Sequence, residues 1–193
     1  MEYVKGKPIS AVWDDTSLAK RKMILKQLKG HFDEMRSIPY PRAGVICGVP
    51  TGPLFDRRIG HDRRGFGPLA NERDFQQFSS MWRRSRCPKL FTIQDNMSYK
   101  ICFTHGDAHS GNFLVRAGKI VAIIDFEMSG FFPEHWEYIK AMTMTQNVQL
   151  HADGFWKLEL KNFLAEYPKE LESEILRHEL FGEYGIQSDL PWP

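Results

Sequence analysis

The chain has 193 residues, of which 26% are charged and 42% are hydrophobic, and its formal net charge is +2. These values are typical of one globular domain. A net charge this small excludes the broad positive field with which proteins bind nucleic acid or an anionic membrane, so we expect neither partner.

Apolar runs and cysteines indicate the compartment. The sequence contains no apolar run of about eighteen residues, the length that a membrane-spanning helix needs, and its N-terminus does not resemble a signal peptide. Its three cysteines, Cys47, Cys87 and Cys102, are odd in number and widely spaced. They predict neither a disulfide framework nor a zinc site, which favours a reducing, cytoplasmic location.

The first predicted element is a helix that begins near residues 14–17. These residues, Asp-Asp-Thr-Ser, are expected to supply the helix N-cap and the acids of the first turn. Apolar side chains then recur at helical spacing and form one face, at Leu18, Leu25, Leu28, Phe32 and Met35. We expect Pro39 and Pro41 to end this helix.

Residues 40–70 are rich in Gly, Pro and Arg and predict a long irregular insertion. Residues 56–64 within it are basic, and we expect a solvated loop there, with contact to substrate phosphates or acidic groups as the alternative. Phe75, Phe78 and Trp82 then indicate a second amphipathic helix that ends near Cys87.

A β-hairpin is predicted between residues 112 and 124. Asn112 opens a short apolar run, and residues 116–119 indicate a turn in which Gly118 can adopt a positive φ. Residues 120–124 are apolar and mostly β-branched, which favours a buried strand, so the acid that follows, Asp125, is expected to be buried as well. The paired strands would bring Asn112 and Asp125 together at the open end of the hairpin.

Asp107, Asn112 and Asp125 carry the functional prediction. All three are oxygen donors, the ligands that Mg²⁺ prefers. Phosphoryl transfer needs a positioned nucleophile and cations that offset the charge of the phosphates. One aspartate could accept the proton of a substrate hydroxyl, while the asparagine and the second aspartate hold Mg²⁺ on a nucleotide. The pattern therefore indicates the catalytic half of a kinase-type site.

Two other interpretations of this region stay open. An aspartate before a turn is often only a helix cap or an Asx-turn, and an acid after a strand often faces solvent. Alternatively, His105, Asp107 and His109 hold zinc, because alternate residues of a strand face one side. Gly106 and Gly111 favour a loop over a strand here, and no further His or Cys pair has ligand spacing.

Three further helices are predicted after the hairpin, over residues 134–149, 155–167 and 168–181. Pro168 suits the first position of the last of them. Their aromatic side chains are expected to form core.

The motif before the hairpin and the acids after it resemble the aminoglycoside phosphotransferase and choline-kinase-like family of small-molecule kinases. The matching segments are His105-Gly106-Asp107-Ala108-His109-Ser110-Gly111-Asn112 and Ile123-Ile124-Asp125-Phe126-Glu127. Protein kinases usually have Arg in place of Gly106 and Gly in place of Glu127, so the chain departs from them toward the small-molecule branch. Residues 48–56 and 130–138 resemble the large fungal set of these proteins, and the likeness extends over nearly the whole chain.

The resemblance implies an α+β fold, namely the C-terminal lobe of a protein-kinase-like enzyme, mainly helical with a catalytic-loop β-hairpin over residues 101–127. It implies that Asp107 is the catalytic base and that Asn112 and Asp125 bind magnesium. ATP would donate the phosphoryl group to a hydroxyl of a small molecule, whose identity depends on residues 134–193. His105 and His109 would support the loop.

The resemblance also implies that the N-terminal β-rich lobe is absent. Residues 1–13 resemble the hinge between the two lobes, in which Glu2, Tyr3 and Val4 would contact adenine. The chain would then be either a truncated kinase, active when a small lobe completes it, or a catalytically deficient lobe that binds nucleotide or a protein partner. We expect the uncovered surface to self-associate or to bind such a partner.

Overall fold

A computed structural model of the chain describes residues 3–40, 42–56, 65–80, 98–143 and 154–181. The described residues form an α+β structure. The strands are β1 (Lys7–Pro8), β2 (Ile101–Thr104), β3 (Phe113–Arg116), β4 (Lys119–Ile123) and β5 (Gly130–Pro133). The helices are α1 (Leu18–Arg36), α2 (Glu72–Ser80), α3 (Trp136–Thr143), α4 (Gly154–Glu159) and α5 (Pro168–Phe181). None of these helices has the length and apolar character that crossing a membrane requires.

Helix α1 has Ser17 at its N-cap and Ser37 at its C-cap, where the Ser37 amide donates to the Asp33 and Glu34 carbonyls. The prediction of acids in its first turn is wrong, because the first turn contains none. Its buried face is formed by Ile24, Leu25, Leu28 and Phe32. The prediction that Leu18 belongs to this face is wrong, since Leu18 is 74% exposed. It lies in the first turn of the helix, and the face is buried only from Ile24 onward.

The predicted hairpin is formed by β3 and β4, which pair antiparallel from Phe113 opposite Ile123 to Arg116 opposite Lys119. Its two central turn residues, Ala117 and Gly118, both have positive φ, as a type I′ turn requires. Strand β1 pairs with the other side of β3. The expectation of a buried β4 is wrong: at the edge of this three-stranded sheet, it is only partly buried.

The second sheet pairs β2 with β5, from Ile101 opposite Pro133 to Thr104 opposite Gly130. Strand β2 leads into the segment that begins at His105, and β5 leads into α3. This pairing therefore brings the start of α3 next to the His105 segment, a contact between residues about thirty positions apart in the chain.

Three apolar clusters of buried residues hold these elements together. The largest joins α1, the hairpin and the helices after it, and its members include Trp13, Phe32, Phe113, Trp156 and Phe163. The second contains Ile46, Leu54, Phe75, Phe132 and Trp136, and the third contains Cys47, Phe103 and Phe131. Ile46 and Leu54 show that the irregular segment 40–70 contributes to the core, although its described residues form only isolated β-bridges.

The helix bounds agree with the prediction to different degrees. Helix α5 covers the predicted residues 168–181, and α3 covers 136–143 of the predicted 134–149, with 144–150 outside the described residues. The predicted helix over 155–167 is wrong in its second half. There, α4 gives way to a 3₁₀ turn at Leu160–Asn162, whose Leu160 carbonyl accepts from the Phe163 and Leu164 amides. Trp82 and Cys87 lie outside the described residues.

Candidate active site

The His105–Asn112 loop connects β2 to β3, and hydrogen bonds to Glu137 of α3 anchor its first residues. Glu137 is buried, and its two carboxylate oxygens accept from the backbone amides of His105 and Gly106, at 2.6 Å and 3.1 Å. Sequence analysis placed Glu137 in the substrate-side region and missed this role. The available signal was an acid between the apolar residues Trp136 and Tyr138.

Burial raises the pKa of the Glu137 carboxyl, and its hydrogen bonds from the His105 and Gly106 backbone amides oppose this shift. A carboxyl with a higher pKa in the folded chain contributes stability below its unfolded pKa, and this contribution is lost as pH rises through the folded pKa.

We therefore expect the wild-type chain to lose stability relative to Glu137→Gln as pH rises above 4.5, the ordinary value. The reason is that the glutamine amide does not titrate in this range. Urea unfolding of both proteins at a series of pH values measures the difference in their free energies of unfolding. If the difference between the two free energies of unfolding does not change with pH, the pKa of the Glu137 carboxyl is not raised in the folded chain.

His105 joins the loop to the end of the hairpin. Its ring is buried, and Nδ1 accepts from the Asp107 amide at 3.2 Å. Nε2 lies 2.9 Å from the Ile124 carbonyl, which can only accept. The two contacts are compatible with a neutral ring that carries its proton on Nε2. The ring also packs edge-on against Phe126, with centroids 4.5 Å apart.

Gly106 allows the loop to pass close to the chain after the hairpin. Its φ is +83°, in the left-handed region, and an added Cβ would lie 2.3 Å from the Met128 carbonyl oxygen. No other residue type fits both conditions without a shift of the backbone.

Asp107 and Asn112 contact each other directly. The side-chain amide nitrogen of Asn112 donates to two oxygens of Asp107, the backbone carbonyl oxygen and the carboxylate oxygen Oδ2, both at 2.9 Å. Both bonds use the nitrogen, so the carbonyl oxygen Oδ1 of Asn112 is the atom that could ligate a cation. Asp107 itself is partly buried.

The end of the hairpin joins Asn112 to the residue that precedes Asp125. The Ile124 amide donates to the Asn112 carbonyl at 3.0 Å, and Asp125 follows with a φ of +66°. The expectation of a buried acid is wrong, because Asp125 is exposed. Strand β4 ends at Ile123, and residues 125–127 are exposed beyond that end.

The zinc alternative does not agree with the geometry. Both ring nitrogens of His105 contact backbone groups, and His109 Nδ1 accepts from the Gly111 amide at 3.0 Å. Within the described residues, no group of three or more His, Cys, Asp or Glu side chains is arranged to hold a metal ion. The oxygen donors of Asp107, Asn112 and Asp125 fit Mg²⁺, which also takes water and phosphate oxygens as ligands.

A second anchor of the loop was also missed from sequence. The indole nitrogen of Trp156, in α4, donates to the Ala108 carbonyl at 2.8 Å. Trp156 is fully buried and its ring packs against Phe113 and Phe163. An aromatic residue on a helix face predicts core packing, and nothing in its sequence context indicates the hydrogen bond.

The predicted adenine contacts are only partly covered by the structure. Glu2 lies outside the described residues, Tyr3 is 88% exposed and Val4 is partly buried. Strand β1, just after them, pairs with β3 through Lys7 opposite Val115. The segment therefore lies beside the hairpin, and its contact with adenine stays a prediction.

Comparison with known proteins gives a family and a fold. A model of the phosphotransferase enzyme family matches residues 1–170. A thermostable mutant of aminoglycoside phosphotransferase APH(4)-Ia, in a ternary complex with ADP and hygromycin B, has a TM-score of 0.55 and 14% sequence identity, covering 91% of this chain and 60% of that one. Its apo form gives 0.50 and 14%, covering 95% and 56%. No curated protein matches in sequence. At this identity, the likeness shows the fold, and the chain spans about 60% of the enzyme's length.

Proposed function

The chain belongs to the phosphotransferase enzyme family, and from that premise we propose that it transfers a phosphoryl group from ATP to a hydroxyl of a small molecule, with Mg²⁺. One observation carries the proposal. The side-chain amide of Asn112 donates a hydrogen bond to the carboxylate of Asp107 within an anchored loop, and this loop meets the end of the hairpin that Asp125 follows. A general base and two cation ligands thus come from one small region.

Asp107 is the proposed base. The substrate hydroxyl loses its proton to this carboxylate as its oxygen attacks the terminal phosphorus of ATP, and the bond between that phosphorus and ADP breaks. Because Asn112 holds Oδ2 of Asp107, Oδ1 is the oxygen that would take the proton. The anchors at Glu137 and Trp156 keep this oxygen in place, which lowers the cost of orienting it during the reaction.

Asn112 Oδ1 and Asp125 are the proposed ligands of Mg²⁺. When bound, the ion would offset the charge of the nucleotide phosphates. The exposure of Asp125 suits this role, because Mg²⁺ usually keeps only one or two protein carboxylates and fills its other positions with water and phosphate oxygens.

We expect Asp125→Asn to weaken nucleotide binding at least about tenfold in the presence of Mg²⁺, and to change it little in the presence of EDTA. Asn tolerates the positive φ at this position but lacks the charge. Calorimetric titration with ATP under both conditions measures the effect. Glu127→Gln, two residues away and also exposed, is the matched control. Equal losses with and without Mg²⁺ would show that Asp125 does not act through the metal.

The proposal is tested by incubating the purified chain with Mg-ATP and a panel of hydroxyl-bearing small molecules, including aminoglycosides. The expected result is ADP release that depends on one class of acceptor, together with an acceptor mass increased by one phosphate. If the rate of ADP release is the same with and without every acceptor of the panel, the proposed reaction is contradicted.

A second candidate is a lobe that binds nucleotide or a protein partner without turnover. The observation in its favour is that the chain spans about 60% of the length of the solved phosphotransferase that it resembles. Saturable binding of Mg-ATP with no ADP release would support this candidate. Light scattering would then detect the self-association that we expect of such a lobe.

A further inference from the structure

A cleft of about 540 Å³ lies at the turn of the hairpin, apart from the candidate active site. The N-terminal segment, the start of α1 and residues 115–118 line it. Asn112 and Asp125 lie at the opposite, open end of the same hairpin. Strand β4 separates the two ends by about 13 Å, at roughly 3.3 Å per residue. The cleft is therefore distinct from the loop and the hairpin end that carry Asp107, Asn112 and Asp125, although Tyr3, a predicted adenine contact, also lines it.

Positively charged side chains outnumber negatively charged ones around this cleft. Four cations, those of Lys5, Lys7, Lys20 and Arg116, line it and are exposed, whereas Asp15 is the only acid among the described residues of its lining. None of the four takes part in an ion pair with a residue that the structure describes. Cations gathered at a concave surface attract anions, because the low-dielectric walls focus their field.

The floor of the cleft is apolar. Ile24 and Val115, both buried, and Val12, partly buried, form it. Its volume lies within the range of clefts that bind small molecules, about 300–1,000 Å³, and such clefts are mainly apolar with a few charged groups that fix the ligand. The surface is thus suited to a ligand with one anionic end and one apolar end.

The walls are held in place before any ligand binds. The Arg21 guanidinium donates to the Trp13 and Thr16 carbonyls, at 3.0 Å and 2.9 Å, and fixes the loop before α1. On the other side, the Gln27 side chain donates to the Gly118 carbonyl and accepts from the Ile120 amide, both at 3.1 Å, and fixes the hairpin turn. Preorganised walls reduce the entropy lost on binding.

We propose that this cleft binds a phosphomonoester of a small apolar molecule. The phosphate would contact Lys5, Lys7, Lys20 and Arg116, and the apolar part would lie on Ile24 and Val115. A phosphate matches this set better than a carboxylate does, because it has three acceptor oxygens and two negative charges, and Arg binds it through two parallel hydrogen bonds. The proposal rests on the lining of the cleft and not on the phosphoryl transfer proposed above.

The test is calorimetric titration of the whole chain with n-hexyl phosphate and with inorganic phosphate, at about 0.1 M salt, where the Debye length is about 10 Å, and with EDTA present. We expect hexyl phosphate to bind more tightly than inorganic phosphate, because only it reaches the apolar floor. Lys20→Gln with Arg116→Gln should weaken its binding at least about tenfold, the equivalent of one lost charge-assisted hydrogen bond. Asp15→Asn should strengthen binding, since it removes a negative charge from the lining.

The controls are Lys22→Gln and Lys119→Gln, two exposed lysines outside the lining, which should leave the affinity within about twofold, as screened surface charges do. All the substituted residues are exposed, and circular dichroism verifies that each variant is folded. The proposal is overturned if neither phosphate binds at millimolar concentration, or if the control pair weakens binding as much as the cleft pair. Equal affinity for the two phosphates would also overturn it. The titration contains neither ATP nor free Mg²⁺, so its result does not depend on phosphoryl transfer. Failure of the proposed function and failure of this proposal are therefore distinguishable.

Discussion

Asp107→Asn is expected to lower the rate of phosphoryl transfer by about 10²–10⁴-fold, the usual contribution of a general base. The asparagine is nearly the same size and can still accept from the Asn112 amide through its own carbonyl oxygen, so the loop should keep its conformation. What it loses is the ability to take the hydroxyl proton. Steady-state ADP release with the best acceptor measures the rate, and thermal unfolding verifies the fold.

Asp14→Asn is the matched control for this substitution, because Asp14 is exposed and lies before α1, outside the loop. It makes the same chemical change and should leave the rate unchanged. If Asp107→Asn retains the wild-type rate, another group accepts the proton. If both variants lose activity equally, the loss reflects net charge and not the loop.

Gly106→Ala is expected to give the largest loss of stability among the loop substitutions, about 2–5 kcal/mol. Positive φ costs an L-residue about 1–2 kcal/mol, and overpacking costs about 1–3 kcal/mol more. The second cost arises because the new Cβ would lie 2.3 Å from the Met128 carbonyl oxygen, a backbone atom that cannot rotate away. The midpoint of urea unfolding measures the change.

Gly118→Ala separates the two costs. Gly118 has nearly the same φ, +77°, but a Cβ there would meet nothing within 4 Å. We expect this variant to lose only the conformational term, about 1–2 kcal/mol. If the two variants are equally destabilised, the contact with Met128 does not contribute, and the loop is less closely packed than its geometry indicates.

Elements whose signals are local were predicted well. Helix α5 has a proline at its first position and covers the predicted residues, and the β3–β4 hairpin has its turn where the glycine allows it. The error at Leu18 has a different origin. Helical spacing identifies a face, but it does not tell how far that face extends over the rest of the molecule, and the first turn of α1 lies beyond the buried part.

In the candidate site too, contacts within a short segment were predictable and contacts between distant segments were not. Asp107 and Asn112 are five residues apart, and the loop between them is short enough that their contact follows from the motif itself. Glu137 and Trp156 meet this loop from 31 and 48 positions away. Neither residue has a neighbour in sequence that predicts these partners. The exposure of Asp125 was also not predictable, because an apolar run before an acid does not tell where the strand leaves the core.

By itself, the sequence determined the family, the hairpin and the set of oxygen donors that the proposed chemistry needs. These depend on residue types at short, regular spacing, and the local backbone geometry follows from that spacing. Only the tertiary structure decided how the loop is anchored, which acid is exposed, and that four cations surround one cleft at the hairpin turn. These features depend on the pairing of β2 with β5 and on the packing of α1 against the hairpin, which join residues far apart in the chain. Burial and contact are properties of that packing, and the order of residues along the chain does not contain them.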